Sequence, residues 1–147
     1  MDATPETRPP KGKNPMSLLD KLKANPLPFA KLIGVEYVSA TPDSVKARMA
    51  VRPELCTIGG FAHGGAIMSF ADTLGGAASF ISLPEGAKGT TTLESKTNFI
   101  GGAPVGAVLV GRCEVVHRGR RTQVWQTRVE TEDGKLVAIV MQTQMTL

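Results

Sequence analysis

The sequence predicts an α+β domain in which an antiparallel sheet of about six strands wraps around one long central helix. Between His63 and Ile81, the residues Ile67, Phe70, Ala71, Leu74, Ala77, Ala78 and Ile81 recur at helical spacing and form one broad apolar stripe. On both sides of that segment the period falls to two, as in half-buried strands. A single long helix cannot cover both faces of a six-stranded sheet, so the sheet must curl around it. The remaining face or an edge is then left for a second copy of the chain.

In order along the chain, residues 1–15 are rich in Pro, Lys and Thr without periodicity and are expected to be a disordered tail, with one domain over 16–147. Met16 to Lys23 reads as a short helix with Leu18, Leu19 and Leu22 on one side, ended by Pro26 and Pro28. Phe29 to Leu32 adds a further turn before Gly34. Val35 opens a hairpin through the Thr41-Pro42-Asp43 turn, where Val45, Ala47, Met49 and Val51 alternate with Lys46, Arg48, Ala50 and Arg52. Pro53 stops it, and a glycine-bearing loop leads into the long helix. Four further strands are expected over Thr90 to Ile100, Val105 to His117, Thr122 to Thr131 and Leu136 to Leu147, with Asp133-Gly134 as the last hairpin turn.

Composition excludes several classes. With 147 residues, 41% hydrophobic and 20% charged, the chain suits one water-soluble domain. Two cysteines and two histidines supply neither a disulfide framework nor a zinc-ligand spacing, so no metal and no separate cofactor is expected. The N-terminus has no apolar signal core behind its charges, which points to the cytoplasm. Gly59 to Leu83 has the length of a membrane span but is diluted by glycine and serine and holds His63 and Asp72. The net charge of +4 is carried largely by Arg8, Lys11 and Lys13 and by Arg118, Arg120 and Arg121. With one Trp, one Tyr and five Phe to interleave, that charge fits an anionic small ligand better than nucleic acid.

The chemistry concentrates at His63-Gly64-Gly65 and Asp72. Those glycines open the helix, where backbone N–H groups and the positive dipole end can accept charge developing on a carbonyl oxygen. Asp72 is the only ionisable side chain between His63 and Pro84. It shares the second helix face with Gly65, Ser69, Gly76 and Ser79, small residues that imply close approach of another element and a helix enclosed nearly all round. A carboxylate in such a place needs a partner or a use, and an ionised one can attack an acyl carbon or activate water.

Histidine-glycine-glycine, six residues, then aspartate, followed by a Thr-rich strand and three long strands, resembles the hotdog-fold acyl-CoA thioesterases of the phenylacetate-degradation type. The likeness covers roughly Val35 to Leu147. It implies an acyl-CoA substrate, a homodimer built edge to edge that associates into a homotetramer, and an active site between subunits. By position, Gly64 would polarise the thioester carbonyl, Asp72 would be nucleophile or general base, and Thr92 would orient the water or the carboxylate. His63 would serve the helix start beside Gly65. Many members carry an asparagine six residues before the histidine, where this chain has Thr57. Asn98 and Phe99 are placed at the border of the acyl pocket. Arg118, Arg120 and Arg121 are candidates for coenzyme A phosphates, since guanidinium groups match phosphate oxygens in pairs.

Two functions of different class remain open on this reading. One is hydrolysis of an acyl-CoA thioester to the free acid and coenzyme A. The other is a non-catalytic acyl-CoA binding or sensing module on the same scaffold. A dehydratase is disfavoured, because its usual histidine and carboxylate spacing is missing around His63 and His117.

Overall fold

The computed structural model describes residues 14–147, so the tail expected over 1–15 lies, apart from its last two residues, outside them. Two short helices, α1 (Leu18–Ala24) and α2 (Pro28–Ile33), precede a hairpin of β1 (Val35–Thr41) and β2 (Ser44–Ala50). The long helix α3 (Gly64–Ile81) follows, then β3 (Thr90–Phe99), β4 (Val108–Arg118), β5 (Thr122–Thr131) and β6 (Leu136–Thr146). All six strands form one antiparallel sheet in the order β1-β2-β4-β5-β6-β3. After α3 the chain therefore crosses to the far edge, and β3 pairs with the last strand rather than with its neighbours in sequence.

Local chemistry accounts for the boundaries. Ser17 caps α1 by accepting from the Asp20 N–H, which starts the helix two residues later than the apolar pattern predicts. Pro28 occupies the first turn of α2, and Gly34, at φ +83°, ends it in the left-handed region. In the β1–β2 turn the Thr41 hydroxyl accepts from the Asp43 and Ser44 N–H groups. The strand expected from Val105 begins only at Val108. Before it, the Val105 N–H donates to Gly60 and the Gly106 N–H to Val51, so 104–107 form a turn against the loop ahead of α3.

Val45, Ala47 and Met49 of β2 point inward and are buried, as their alternation predicts. They meet Ile67, Phe70, Ala71 and Leu74 of α3, with Leu109, Trp125, Val129 and Val140 completing the core. Full burial of side chains of this size contributes about 1.5–3 kcal/mol each. The helix lies close on the sheet because β4 offers Gly111 beneath it: a Cβ there would come 2.7 Å from Leu74 and 2.9 Å from Phe70. Cys113 is fully buried beside this contact, and burial pushes its thiol up to about 12, which makes it an inert core residue.

The second face of α3 corrects an expectation. Ser79 is buried, but Gly65 and Asp72 are exposed, and Ser69 and Gly76 are only partly covered. One curved sheet encloses a helix from one side, so this chain alone does not surround it.

Candidate active site

The start of α3 is built by His63. Its extended backbone (φ −64°, ψ 139°) makes it the cap residue, and its Nδ1 accepts from the Gly65 N–H at 2.8 Å. Its carbonyl accepts from the Ala66 and Ile67 N–H groups at 2.9 and 3.1 Å. The Gly64 N–H makes no hydrogen bond among the described residues. One amide at the positive end of an 18-residue helix is thereby left with its donor unused. A Cβ on Gly65 would stand 3.0 Å from the His63 ring, so this glycine is what lets the imidazole fold back. Phe99 lies over the other glycine, its ring 3.3 Å from where a Gly64 Cβ would be.

Asp72 is held from the sheet. Its Oδ1 accepts from Gln142 Nε2 at 2.7 Å and from the Thr92 hydroxyl at 3.1 Å. Thr92 in turn accepts from Gln144 Nε2 at 2.7 Å, and Gln144 Oε1 accepts from the Thr90 hydroxyl at 3.2 Å. Ser79 lies 3.1 Å from Thr90 and, since the Thr90 proton is committed to Gln144, is the donor of that pair. These residues form a one-way row of donors that starts at a buried serine and ends on the carboxylate. Asp72 itself is exposed, in contrast to the enclosure its sequence context predicts, and it borders a cleft of about 350 Å³ with Leu27, Phe29, Gly76 and Thr91.

Gly64 and Asp72 do not meet within the chain. Eight residues of helix at 1.5 Å each separate them by about 12 Å along the axis, too far for both to act on one carbonyl.

A sequence profile described as the thioesterase superfamily matches residues 59–138, which include both helix features and most of the sheet. The 1,4-dihydroxy-2-naphthoyl-CoA hydrolase of Escherichia coli K12 is 34% identical over 104 residues, 71% of this chain and 75% of that protein. Among solved structures, a thioesterase of Haemophilus influenzae superposes with a TM-score of 0.81 at 25% identity, covering 92% of this chain and 93% of that one. A mutant phenylacetic acid degradation protein of Thermus thermophilus gives 0.75 at 28% identity, covering 82% and 99%.

The chain belongs to the thioesterase superfamily.

Its sheet curled around α3 is the hotdog fold of these neighbours, and its enzyme class is thioester hydrolysis. In this thioesterase the sequence-derived candidates fall into separate groups. Thr92 joins Asp72, and Phe99 joins Gly64. Asn98 pairs with Ile139 and, by strand alternation, faces the side of β3 opposite to Phe99. Thr57 sits exposed in the loop before α3, its N–H on the Phe61 carbonyl, and its side chain makes no hydrogen bond among the described residues.

Arg118 donates to Asp43 Oδ1 at 3.1 Å and to the Pro42 carbonyl, and its guanidinium stands 5.7 Å from the Trp125 ring centroid. It is thus a tie between β4 and the β1–β2 turn rather than an unengaged cation. Arg120 and Arg121 are exposed. Their turn lies at the C-terminal end of α3, where Ser82 donates to the same Pro42 carbonyl, at the opposite end of the helix from Gly64. No helix among the described residues is long and apolar enough to cross a membrane.

The surroundings of Asp72 also include residues that sequence reasoning passed over. Gln142 and Gln144 are 1% exposed and stand inward on β6 beside Ala138 and Val140. Two amides at core positions of an otherwise apolar strand face were the available signal. Gly75 faces Gln142 so closely that a Cβ would lie 2.0 Å from its Oε1, which has no hydrogen-bond partner. Glycine within a helix costs about 0.5–1 kcal/mol relative to alanine, and an unpaired buried amide oxygen about 1–3 kcal/mol. Leu27 and Phe29, from the short N-terminal helices and their link, close the cleft from outside the stretch that carries the motif.

Proposed function

We propose that this protein hydrolyses an acyl-CoA thioester to the free acid and coenzyme A, at a site shared by two copies of the chain. The observation that carries the reading is the pairing of an unused Gly64 N–H with a two-donor Asp72 carboxylate about 12 Å away along the same helix. Neither half suffices alone, and a second chain can bring its own Asp72 to the first chain's Gly64. The edge strand β3, which carries Thr92 and the exposed Phe99, is the seam we assign to the dimer, with pairs of dimers forming a tetramer.

In this reading the thioester carbonyl oxygen accepts from the Gly64 N–H, which stabilises the negative charge that the oxygen takes up as the carbon becomes tetrahedral. Asp72 either removes a proton from the attacking water or attacks the carbon itself, giving an anhydride that water then opens. The carbon–sulfur bond breaks, the sulfur leaves as thiolate and is protonated, and the acid is released. Arg120 and Arg121 are the cations we assign to the coenzyme A phosphates, Arg118 being engaged by Asp43. The naphthoyl-CoA hydrolase and phenylacetate-degradation relatives support a coenzyme A thioester as substrate. The two free cysteines accord with a reducing compartment, and we place the enzyme in the cytoplasm.

A panel of aromatic, short-chain and medium-chain acyl-CoA thioesters, read by release of free thiol, tests the proposal. Turnover of at least one thioester that is lost in Asp72→Asn supports it. Tight binding of coenzyme A thioesters without turnover would show a binding module instead.

A further inference from the structure

We propose that Gln142 is the positioning residue of the Asp72 carboxylate: from the last strand it fixes Oδ1 and leaves Oδ2 as the reacting oxygen. The inference rests on the role given to Asp72 above. Both donors to the carboxylate, Gln142 Nε2 and the Thr92 hydroxyl, converge on Oδ1, and Oδ2 receives no hydrogen bond among the described residues. The terminal torsion of an aspartate is broad and nearly two-fold, so an exposed carboxylate left to itself would turn freely. Two donors from two different strands remove that freedom and name the oxygen that stays available.

The orientation of the amide is dictated by chemistry, because turning its oxygen toward the carboxylate would oppose two acceptors. That orientation forces Oε1 against α3, where it is buried without a partner and where only a glycine at position 75 leaves room. Two local penalties are therefore kept together, and a leucine at position 142 would remove one of them. What leucine cannot do is donate to Asp72. Gln144 differs in kind: both ends of its amide are bonded, to Thr90 and Thr92, so it acts on the carboxylate only through Thr92.

The test compares Gln142→Leu, Gly75→Ala, Gln142→Ala and the double variant Gln142→Ala with Gly75→Ala. Asp72→Asn is measured in parallel, on the thioester that the wild type turns over fastest. Thermal midpoint, KM and kcat are recorded for each. Gln142→Leu is expected to keep its thermal midpoint and a KM within about twofold, while kcat falls by roughly tenfold to a hundredfold. Gly75→Ala should reproduce that loss of kcat by displacing the amide, and adding it to Gln142→Ala should cost no further turnover. An unchanged kcat in Gln142→Leu beside an inactive Asp72→Asn would overturn the role of Gln142 alone. A loss that follows the folded fraction, with kcat per folded molecule intact, would do the same. Full activity in Asp72→Asn would instead overturn the reading on which the inference rests.

Discussion

Gln142 Nε2 and Asp72 Oδ1 lie 2.7 Å apart across a sequence separation of 70 residues, joining the middle of the only long helix among the described residues to the strand that ends the chain. The contact exists because β3 crosses to the far edge and leaves β6 beneath the exposed flank of α3. It ties the Asp72 carboxylate to a strand paired on both sides, by β5 and β3, rather than to a loop.

The proposed sharing of the site between two copies predicts complementation between two inactive chains. Gly64→Pro removes the N–H, its Cβ requires a few tenths of an ångström of give from the exposed Phe99 ring, and proline suits the first position of a helix whose preceding residue is already extended at ψ 139°. Losing one such donor should lower turnover by about a hundredfold to a thousandfold. Mixing Gly64→Pro chains with Asp72→Asn chains after subunit exchange should restore about a quarter of wild-type turnover, because each mixed dimer holds one intact pair. Turnover that stays at the level of the separate variants would overturn the shared site.

The arginine turn predicts a split by substrate. Arg120→Ala combined with Arg121→Ala should raise KM for an acyl-CoA severalfold and leave a pantetheine thioester, which lacks the nucleotide phosphates, unchanged. Arg118→Ala should change neither. Its exposed pair with Asp43 should contribute less than about 1 kcal/mol to stability, read by denaturant titration.

The close approach of helix and sheet predicts a large effect from one methyl group. Gly111→Ala would place a Cβ within 3 Å of both Phe70 and Leu74, at the packed centre of the core. Denaturant titration should show a loss of about 1–3 kcal/mol. Turnover per folded molecule should persist, since Gly64 lies at the start of the helix and Asp72 on its exposed face, away from the buried Phe70 and Leu74.

Burial of Cys113 predicts an alkaline limit to stability. Its thiol, raised from 9.0 to about 12 when folded, stays protonated in the native chain while the unfolded chain ionises first. Its contribution is therefore complete below about pH 9 and is lost as pH rises toward 12. Tyr37, also raised by burial, adds in the same direction above its usual 10.0. Urea midpoints should fall across that window, and Cys113 should resist thiol reagents at pH 8 until the chain unfolds.

Much of this was legible in the order of residues. The alternation of Val45, Ala47 and Met49 and the helical stripe from Ile67 to Ala78 report burial by periodicity alone, and the structure places both in the core. Asp72 drew notice as a lone charge and Thr92 by its place in a resemblance; they are bonded to each other. The exposure of Asp72 was not legible, because small residues on a helix face report close approach without saying from which chain. Gln142 escaped notice for a related reason. A strand pattern tells which face a residue occupies, but its partner depends on a crossover that brings residue 142 back to residue 72. Arg118 stands with Arg120 and Arg121 as a candidate for coenzyme A phosphates on sequence alone, since nothing local in Arg118-Gly119-Arg120-Arg121 announces an acceptor at Asp43.

The missing Cβ at Gly75 has a consequence for redesign. While Gln142 stands opposite, a library randomised at position 75 alone should return little besides glycine, whereas one randomised at position 142 alone should also return folded apolar variants of low turnover. Varied jointly, the same two positions should yield well-folded, apolar pairings that have traded turnover for robustness.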